Sequence, residues 1–387
     1  MRVTNQTVNE MLSRYIINNR NSVFDIQQKI ASGKKILNPS DDPNGYDTIV
    51  RLEDSLACIQ QYDRNAVQLK NELLNTDGTL QQVTDVLHRV SELIVTASNG
   101  TTPPEDRQTI SKEVDQLLED MVNLANSNPE GRYIFGGLRT NAQPYVVTRD
   151  ANGQIVDVTY QGNQDVRQVE VGKNAFVPAN IPGTDAAGGM AVFQSQNQDV
   201  FSDLIQLRDR LAAGENPVDP EFFTADPAAD LLTTTKLYRT GSLVRVDTTG
   251  ALPGGLEAGR DYYAIQVSPT QIRLADSYAN AQAGIFIDIT SAGVGTHNIT
   301  QQSLQENTRD LEHITSILGV VGAREQRLET CQSILSQYEE DVSSSLEDVQ
   351  AIDLAKAMTE LSDKKLAYEA ALRATSGLLD VSLLNYI

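Results

Sequence analysis

Between residues 52 and 97 the chain carries a seam of small and apolar positions stepping three and four without a slip. It reads Leu52, Ser55, Ile59, Tyr62, Ala66, Leu69, Leu73, Thr76, Leu80, Val83, Leu87, Val90, Ile94, Ala97. That period keeps one narrow stripe facing a partner helix and predicts coiled-coil-like packing. As one helix the stretch would measure about 70 Å at 1.5 Å per residue. Residues 5–37 carry a second seam, with Ile16, Val23, Ile30 and Leu37 seven apart and Leu12, Asn19 and Ile26 between them. The other faces of that segment are polar, so it needs a partner stripe to be stable.

Between these two seams lies Asn38-Pro39-Ser40-Asp41-Asp42-Pro43-Asn44-Gly45. Two prolines, a glycine and Asx residues predict an ordered turn there, with Asp41, Asp42, Pro43 and Gly45 shaping it and capping the next helix. Asn99-Gly100 and Pro103-Pro104 end the long helix. A third, over 105–125, steps through Ile110, Val114, Leu117, Met121 and Leu124 and is expected to fold back antiparallel along the second.

At Asn128-Pro129-Glu130-Gly131 the period changes. The runs 145–147, 155–160 and 166–171 are β-rich and separated by turn signals, which predicts hairpins. A short helix follows over 200–212, with Phe201, Leu204, Leu207 and Leu211 on one side. From 217 to 300 the pattern is β again, with strands expected at 242–246, 262–267, 271–274 and 285–289. This reads as a separate small β domain. Helical seams return after 301: Leu311, Ile314, Leu318 and Val321 lead to Leu328, Cys331, Leu335 and Tyr338. A last helix carries Leu354, Met358, Leu361, Tyr368, Leu372 and Leu379.

The fold class expected is therefore α+β and multidomain: a long-helix, coiled-coil-like bundle from the N- and C-terminal segments with β-rich domains inserted. The divisions are 1–40 with 345–387 as terminal coiled-coil segments and 41–132 with 301–344 as the bundle. Residues 133–216 form a β-rich domain with a short helix, and 217–300 the additional insert. Charge sharpens the pairing of the ends. Residues 1–35 hold six basic and two acidic side chains, and 339–387 hold four basic and ten acidic ones, so the two helices should prefer each other to themselves. Single surface pairs contribute under about 1 kcal/mol.

Composition then removes function classes. The chain of 387 residues has 31 basic and 52 acidic side chains, a formal net charge of −21. Such a charge repels a phosphate backbone, so nucleic acid is not an expected partner. No apolar run is long enough for a membrane span, and the first residues lack the apolar core of a secretory signal. Two cysteines, Cys58 and Cys331, cannot staple a chain this long. His88, His297 and His313 are scattered, no nucleophile–base pair stands out, and the Asp41/Asp42/Asp47 spacing lacks the glycine and terminal glutamate of a calcium loop. Catalytic, cofactor-binding and metal residues are therefore expected to be none.

Several stretches carry a resemblance. Ile30 to Gly45, Arg64-Asn65-Ala66, Thr76 to Leu80, Ala97 to Thr101 with Asp106-Arg107, Leu318-Gly319, Gly322 to Arg324, Arg327 to Glu329 and Asp348 to Ala357 are similar to the bacterial flagellin superfamily. Gly131-Arg132-Tyr133-Ile134-Phe135-Gly136-Gly137, with Thr140 and Pro144-Tyr145 after it, resembles the flagellin-like hook-associated proteins of the hook–filament junction, hook-associated protein 3 in type. Residues 217–300 depart from that pattern. The resemblance implies a structural, non-enzymatic subunit of the bacterial flagellum, exported unfolded through the flagellar type III channel and therefore extracellular without a cleavable signal peptide. It implies a ring of copies of itself, with an adjacent hook-associated protein, flagellin, and the export apparatus with its chaperone as partners. The seam positions expected to serve assembly are Ile16, Val23, Ile26, Ile30, Ile59, Leu73, Leu80, Leu87, Ile94, Leu318, Leu328, Leu335, Leu361, Tyr368 and Leu372. A filament flagellin is the alternative, and a surface-binding adhesin carried by 217–300 is the alternative of another class.

Overall fold

The computed structural model describes the backbone at residues 5–184, 190–195 and 197–384, and side chains between 10 and 375 within those segments except residue 130. The expected seam position Leu379 lies outside the described side chains. The chain divides into two compact units, Met1–Arg64 with Gln332–Ile387, and Asn65–Cys331.

The first unit is helical. It contains α1 (Asn5–Ser32), the start of α2 (Pro43–Ser98), the end of α6 (Ser303–Gln350) and α7 (Leu354–Leu384), with α1 packed against α7. Helix α1 stops five residues short of the expected 37. Gly33 sits in the left-handed region at φ 69°, and its N–H turns back to the Ile30 carbonyl at 3.3 Å. The chain beyond it then pairs with the break between α6 and α7. Lys34 bridges Ala351, Lys35 N–H donates to Gln350 O at 2.8 Å, and Ile352 N–H donates to Gly33 O at 3.0 Å. A glycine as helix terminator is a local signal; its partner, about 320 residues away, is not.

The second unit is built on the rest of α2. Helix α3 (Pro104–Ala125) runs antiparallel to it, since Arg107 Nε reaches Ala97 O at 3.0 Å and Arg89 pairs with Glu113 at 2.7 Å. Helix α6 returns along the other side: Asn307 Nδ2 donates to Leu87 O at 3.0 Å, and Lys70 meets Glu329 at 2.8 Å. Two antiparallel hairpins, β1 (Tyr145–Arg149) with β2 (Ile155–Tyr160) and β3 (Gln168–Gly172) with β4 (Ala175–Pro178), and helix α4 (Val200–Ala212) cover this bundle. One hydrophobic core joins Leu73, Leu80, Leu87 and Ile94 to Val114, Leu118, Met121, Phe135, Tyr145 and Phe201. Tyr145 lies 5.1 Å from Phe201 and 5.5 Å from Phe193 between ring centres, so aromatic packing fastens the first hairpin to α4.

The insert closes into a barrel. Its strands are β5 (Glu221–Asp226), β6 (Leu231–Thr233), β7 (Leu243–Thr248), β8 (Asp261–Ser268), β9 (Gln271–Ala275) and β10 (His297–Gln301), all antiparallel, in the order β10-β5-β6-β9-β8-β7. Strand β10 pairs with both β5 and β7, which leaves no free edge. Phe223, Val244, Val246, Tyr262, Ile272, Leu274 and Ile299 fill the interior. The expected strand over 285–289 is not one. Strand β9 already pairs on both sides, with β8 and β6, so no ladder edge remains for it. The short helix α5 (Tyr278–Gln282) precedes that run instead, and Ile289 is still buried under the barrel core.

Candidate functional site

The described residues hold no group of three His, Cys, Asp or Glu placed to bind a metal, and no helix long and apolar enough to cross a membrane. His88 is exposed, His297 is buried between Thr248 Oγ1 and Ala292 O, and His313 Nε2 lies 2.6 Å from Ala191 O. Each ring is thus isolated from the others. Cys58 is exposed and Cys331 half-buried, both as free thiols.

The turn before α2 is a polar lock. Asp41 Oδ2 accepts from Leu37 N–H at 3.0 Å and Asn38 N–H at 3.2 Å, and these bonds hold its carboxyl below the usual carboxylate range. Asp42 Oδ1 accepts from Asn44 N–H and Gly45 N–H, both at 3.1 Å, which serves the first orphan amides of α2. Pro43 opens the helix, where its missing N–H costs nothing. Gly45 is closely covered: a Cβ there would lie 2.5 Å from Ile36 Cδ1, which would have to swing aside.

The seam residues fall into two environments. In the second unit Leu73, Leu80, Leu87, Ile94 and Leu328 are buried in the shared core, and Leu318 is half-buried at its edge. In the first unit Ile16, Val23, Ile26 and Ile30 of α1 are only half-buried, as are Ile59, Leu361 and Tyr368; Leu335 is buried. Leu372 faces solvent, and the neighbouring Ala371 is half-buried in its stead. Around this incomplete seam α1 exposes Met11, Tyr15, Ile17 and Phe24, and α7 exposes Leu354, Met358, Leu366 and Leu372. Phe24 is 66% and Leu366 72% exposed. Large apolar side chains gathered on one helix pair are the mark of a surface awaiting a partner. Their spacing was visible in the sequence; which of them the α1–α7 pairing would leave outside was not.

The loop after α3 is closed by the chain itself. Gly137 adopts φ 67°, and a Cβ on it would lie 2.1 Å from Asn163 O. Tyr160 Oη donates towards Phe135 O and Asn163 O at 2.9 and 2.8 Å. That is a tight turn tied to a hairpin, with no open amide cradle for a phosphate. Terminal helices with an open apolar flank stand on either side of a β-rich middle in the sequence.

Comparison with known proteins accounts for that arrangement. The profile of the bacterial flagellin N-terminal helical region matches residues 3–140, and that of the flagellin C-terminal helical region matches residues 304–387, more than half of the chain together. The chain belongs to the flagellin family. It is 32% identical over 146 residues to flagellar hook-associated protein 3 of Escherichia coli, covering 38% of this chain and 46% of that one. The chain thus spans about half the length of the curated hook-associated relatives it matches. It is 23% identical over 368 residues to a flagellin of Clostridium tyrobutyricum, covering 91% of this chain and 92% of that one. Among solved structures, a Vibrio parahaemolyticus protein assigned to the flagellar hook-associated class shares the fold, with a TM-score of 0.50 at 18% identity, over 80% of this chain and 100% of that chain. Flagellins and hook-associated proteins are structural proteins of the flagellum rather than enzymes, and this flagellin-like chain, close to hook-associated protein 3, is of that class. The β-rich middle flanked by flagellin helices agrees with the α+β architecture expected from the sequence.

Proposed function

We propose that this flagellin-family chain is the subunit that joins hook to filament, assembling with copies of itself into a ring that adapts one to the other. The observation that carries the reading is the open apolar flank of α1 and α7, an unfinished seam in a chain whose second unit buries Leu73, Leu80, Leu87 and Ile94 of its own seam. The match to hook-associated protein 3 runs over 146 residues, against 99 and 100 for filament proteins of similar identity, which supports the junction over the filament. On this reading the terminal helices complete their seam against neighbouring subunits, with an adjacent hook-associated protein on one side and flagellin on the other. The β domains face outward. The chain is extracellular, delivered by the flagellar export apparatus with a chaperone, and performs no catalysis.

A strain lacking this gene tests the reading. Intact hooks, no filaments and flagellin monomer shed into the medium are the expected result; normal filaments with normal swimming would overturn it. The filament reading is favoured by matches to two flagellins over 92% and 91% of those proteins' lengths. Purified chain that polymerises alone into long filaments would establish it. The adhesin reading of the insert is tested by removing residues 217–300. Motility retained with surface attachment lost would support it, and attachment unchanged would end it.

A further inference from the structure

The barrel is keyed to α4 and α6 by buried polar groups. Gln206 of α4 accepts from Ser242 Oγ and from Gln301 Nε2, the latter at 3.2 Å, and Glu306 of α6 accepts from Leu243 N–H at 2.6 Å and Gln301 Nε2 at 3.2 Å. Behind this row lies a cavity of about 10 Å³, room for one water-sized group, lined among others by Gln198, Asp203, Tyr263, Glu306 and Asp310.

The charges around it do not balance. Helix α4 and its cap bring Asp199 and Asp203; α6 brings Glu306, Asp310 and Arg309; the barrel and α5 bring Tyr263 and Tyr278. Asp199 is occupied at the N-terminus of α4, accepting from Phe201 N–H, Ser202 N–H and Gln194 Nε2. Arg309, which also lines the cavity, donates to Asn197 O at 3.1 Å and Tyr263 Oη at 2.7 Å rather than to a carboxylate. Arg210, the other cation felt by Glu306, is engaged with Gln301. Asp310 is 2% exposed and its Oδ1 has no hydrogen-bond partner; Gln198, 8% exposed and on the same cavity, has an unpartnered Nε2. An ionised carboxylate so placed would lack both water and counter-charge, whereas the neutral acid avoids most of that cost.

We propose that Asp310, Asp203 and Glu306 form a proton-binding joint, which fastens the barrel to α4 and α6 while protonated and loosens as the pH rises. Burial, followed by repulsion from neighbouring carboxylates, pushes Asp310 well above the ordinary carboxylate range, and the half-buried Asp203 is raised in the same direction. Burial raises Glu306 too, against the opposing pull of its Leu243 and Gln301 bonds, and lifts Asp199 to about 6. Because the folded state holds these protons more tightly than the unfolded chain, their contribution is fully present below about pH 4. It is lost as the pH climbs through the folded values, beginning near 6 for Asp199. The insert thereby gains a contact that answers to the acidity of its surroundings.

The test uses the full chain and Asp310→Asn, which stays neutral at every pH. The thermal midpoint of the wild type should fall by about 5 °C or more between pH 5 and pH 8. Amide-exchange protection at Leu243 and Gln301, corrected for intrinsic rates, should fall with it. Both slopes should flatten in Asp310→Asn. Infrared spectra of the wild type should show a protonated carboxylic-acid carbonyl band at pH 6 that disappears by pH 9. Equal slopes in wild type and variant would overturn the proposal, as would absence of that band at pH 6. So would full recovery of protection at pH 8 on adding calcium or magnesium ions alone, since a cation would then occupy the joint. Should Asp310→Asn fail to fold, the wild-type band and Asp203→Asn decide the matter by the same criteria.

Discussion

At Gly137 a single hydrogen atom decides the geometry of a loop. Its positive φ and the Asn163 carbonyl 2.1 Å from any Cβ exclude every other residue. Gly137→Ala should cost about 1–2 kcal/mol or more in denaturant unfolding of the second unit, while Gly153→Ala, at φ 86° with nothing within 4 Å of its Cβ, should cost less. Along α2 the same chemistry has different consequences by depth. Leu87 is fully buried, so Leu87→Ala should lose about 2–5 kcal/mol. Leu74, also on α2 but 47% exposed, should tolerate alanine within about 0.5 kcal/mol. Equal losses at the two positions would show that the seam is not the core described here. The sequence distinguished Leu87 from Leu74 by period alone, because a three–four step fixes one face of a helix. It could not distinguish Leu372 from Ala371, adjacent positions on a helix whose apolar residues exceed one face.

At the scale of elements, the turn between α1 and α2 is held by two aspartates. Asp41→Ala removes acceptors for two amides and should destabilise the first unit by about 1 kcal/mol. Because those amides lower the Asp41 carboxyl, its contribution is present above about pH 4 and is lost as the pH falls through the folded value. Unfolding of the wild type and Asp41→Ala should therefore converge in acid, and a gap that persists at pH 2 would refute this role. The prolines, glycine and Asx residues made the turn legible, since each imposes a local backbone preference. The run at 285–289 was misread for the complementary reason. Its β-branched residues satisfy strand propensity, but a strand needs a vacant neighbour, and β9 had none.

For the molecule as a whole, the prediction concerns assembly rather than folding. Phe24 and Leu366 already face solvent, so Phe24→Asp with Leu366→Asp should leave helix content unchanged by circular dichroism. The same pair should abolish incorporation into flagella, read as loss of swimming with filaments absent by electron microscopy. Normal flagella carrying the double variant would show that this flank contacts nothing, and the proposed ring would have to close elsewhere.

What the chain's sequence determined by itself is the set of long helices, their narrow seams, the turn at 38–45 and the β character of the middle. These follow from period and from residues with intrinsic backbone preferences, both of which act over a few neighbours. The flagellin membership was legible in the same segments, at 3–140 and 304–387. Tertiary structure alone decided that the insert closes into a barrel through β10, that Gly33 meets Ile352, and that Asp203, Glu306 and Asp310 line one small cavity. Each of these depends on groups brought together from distant parts of the chain. No local pattern records such meetings, because desolvation and pairing act only once the groups are side by side.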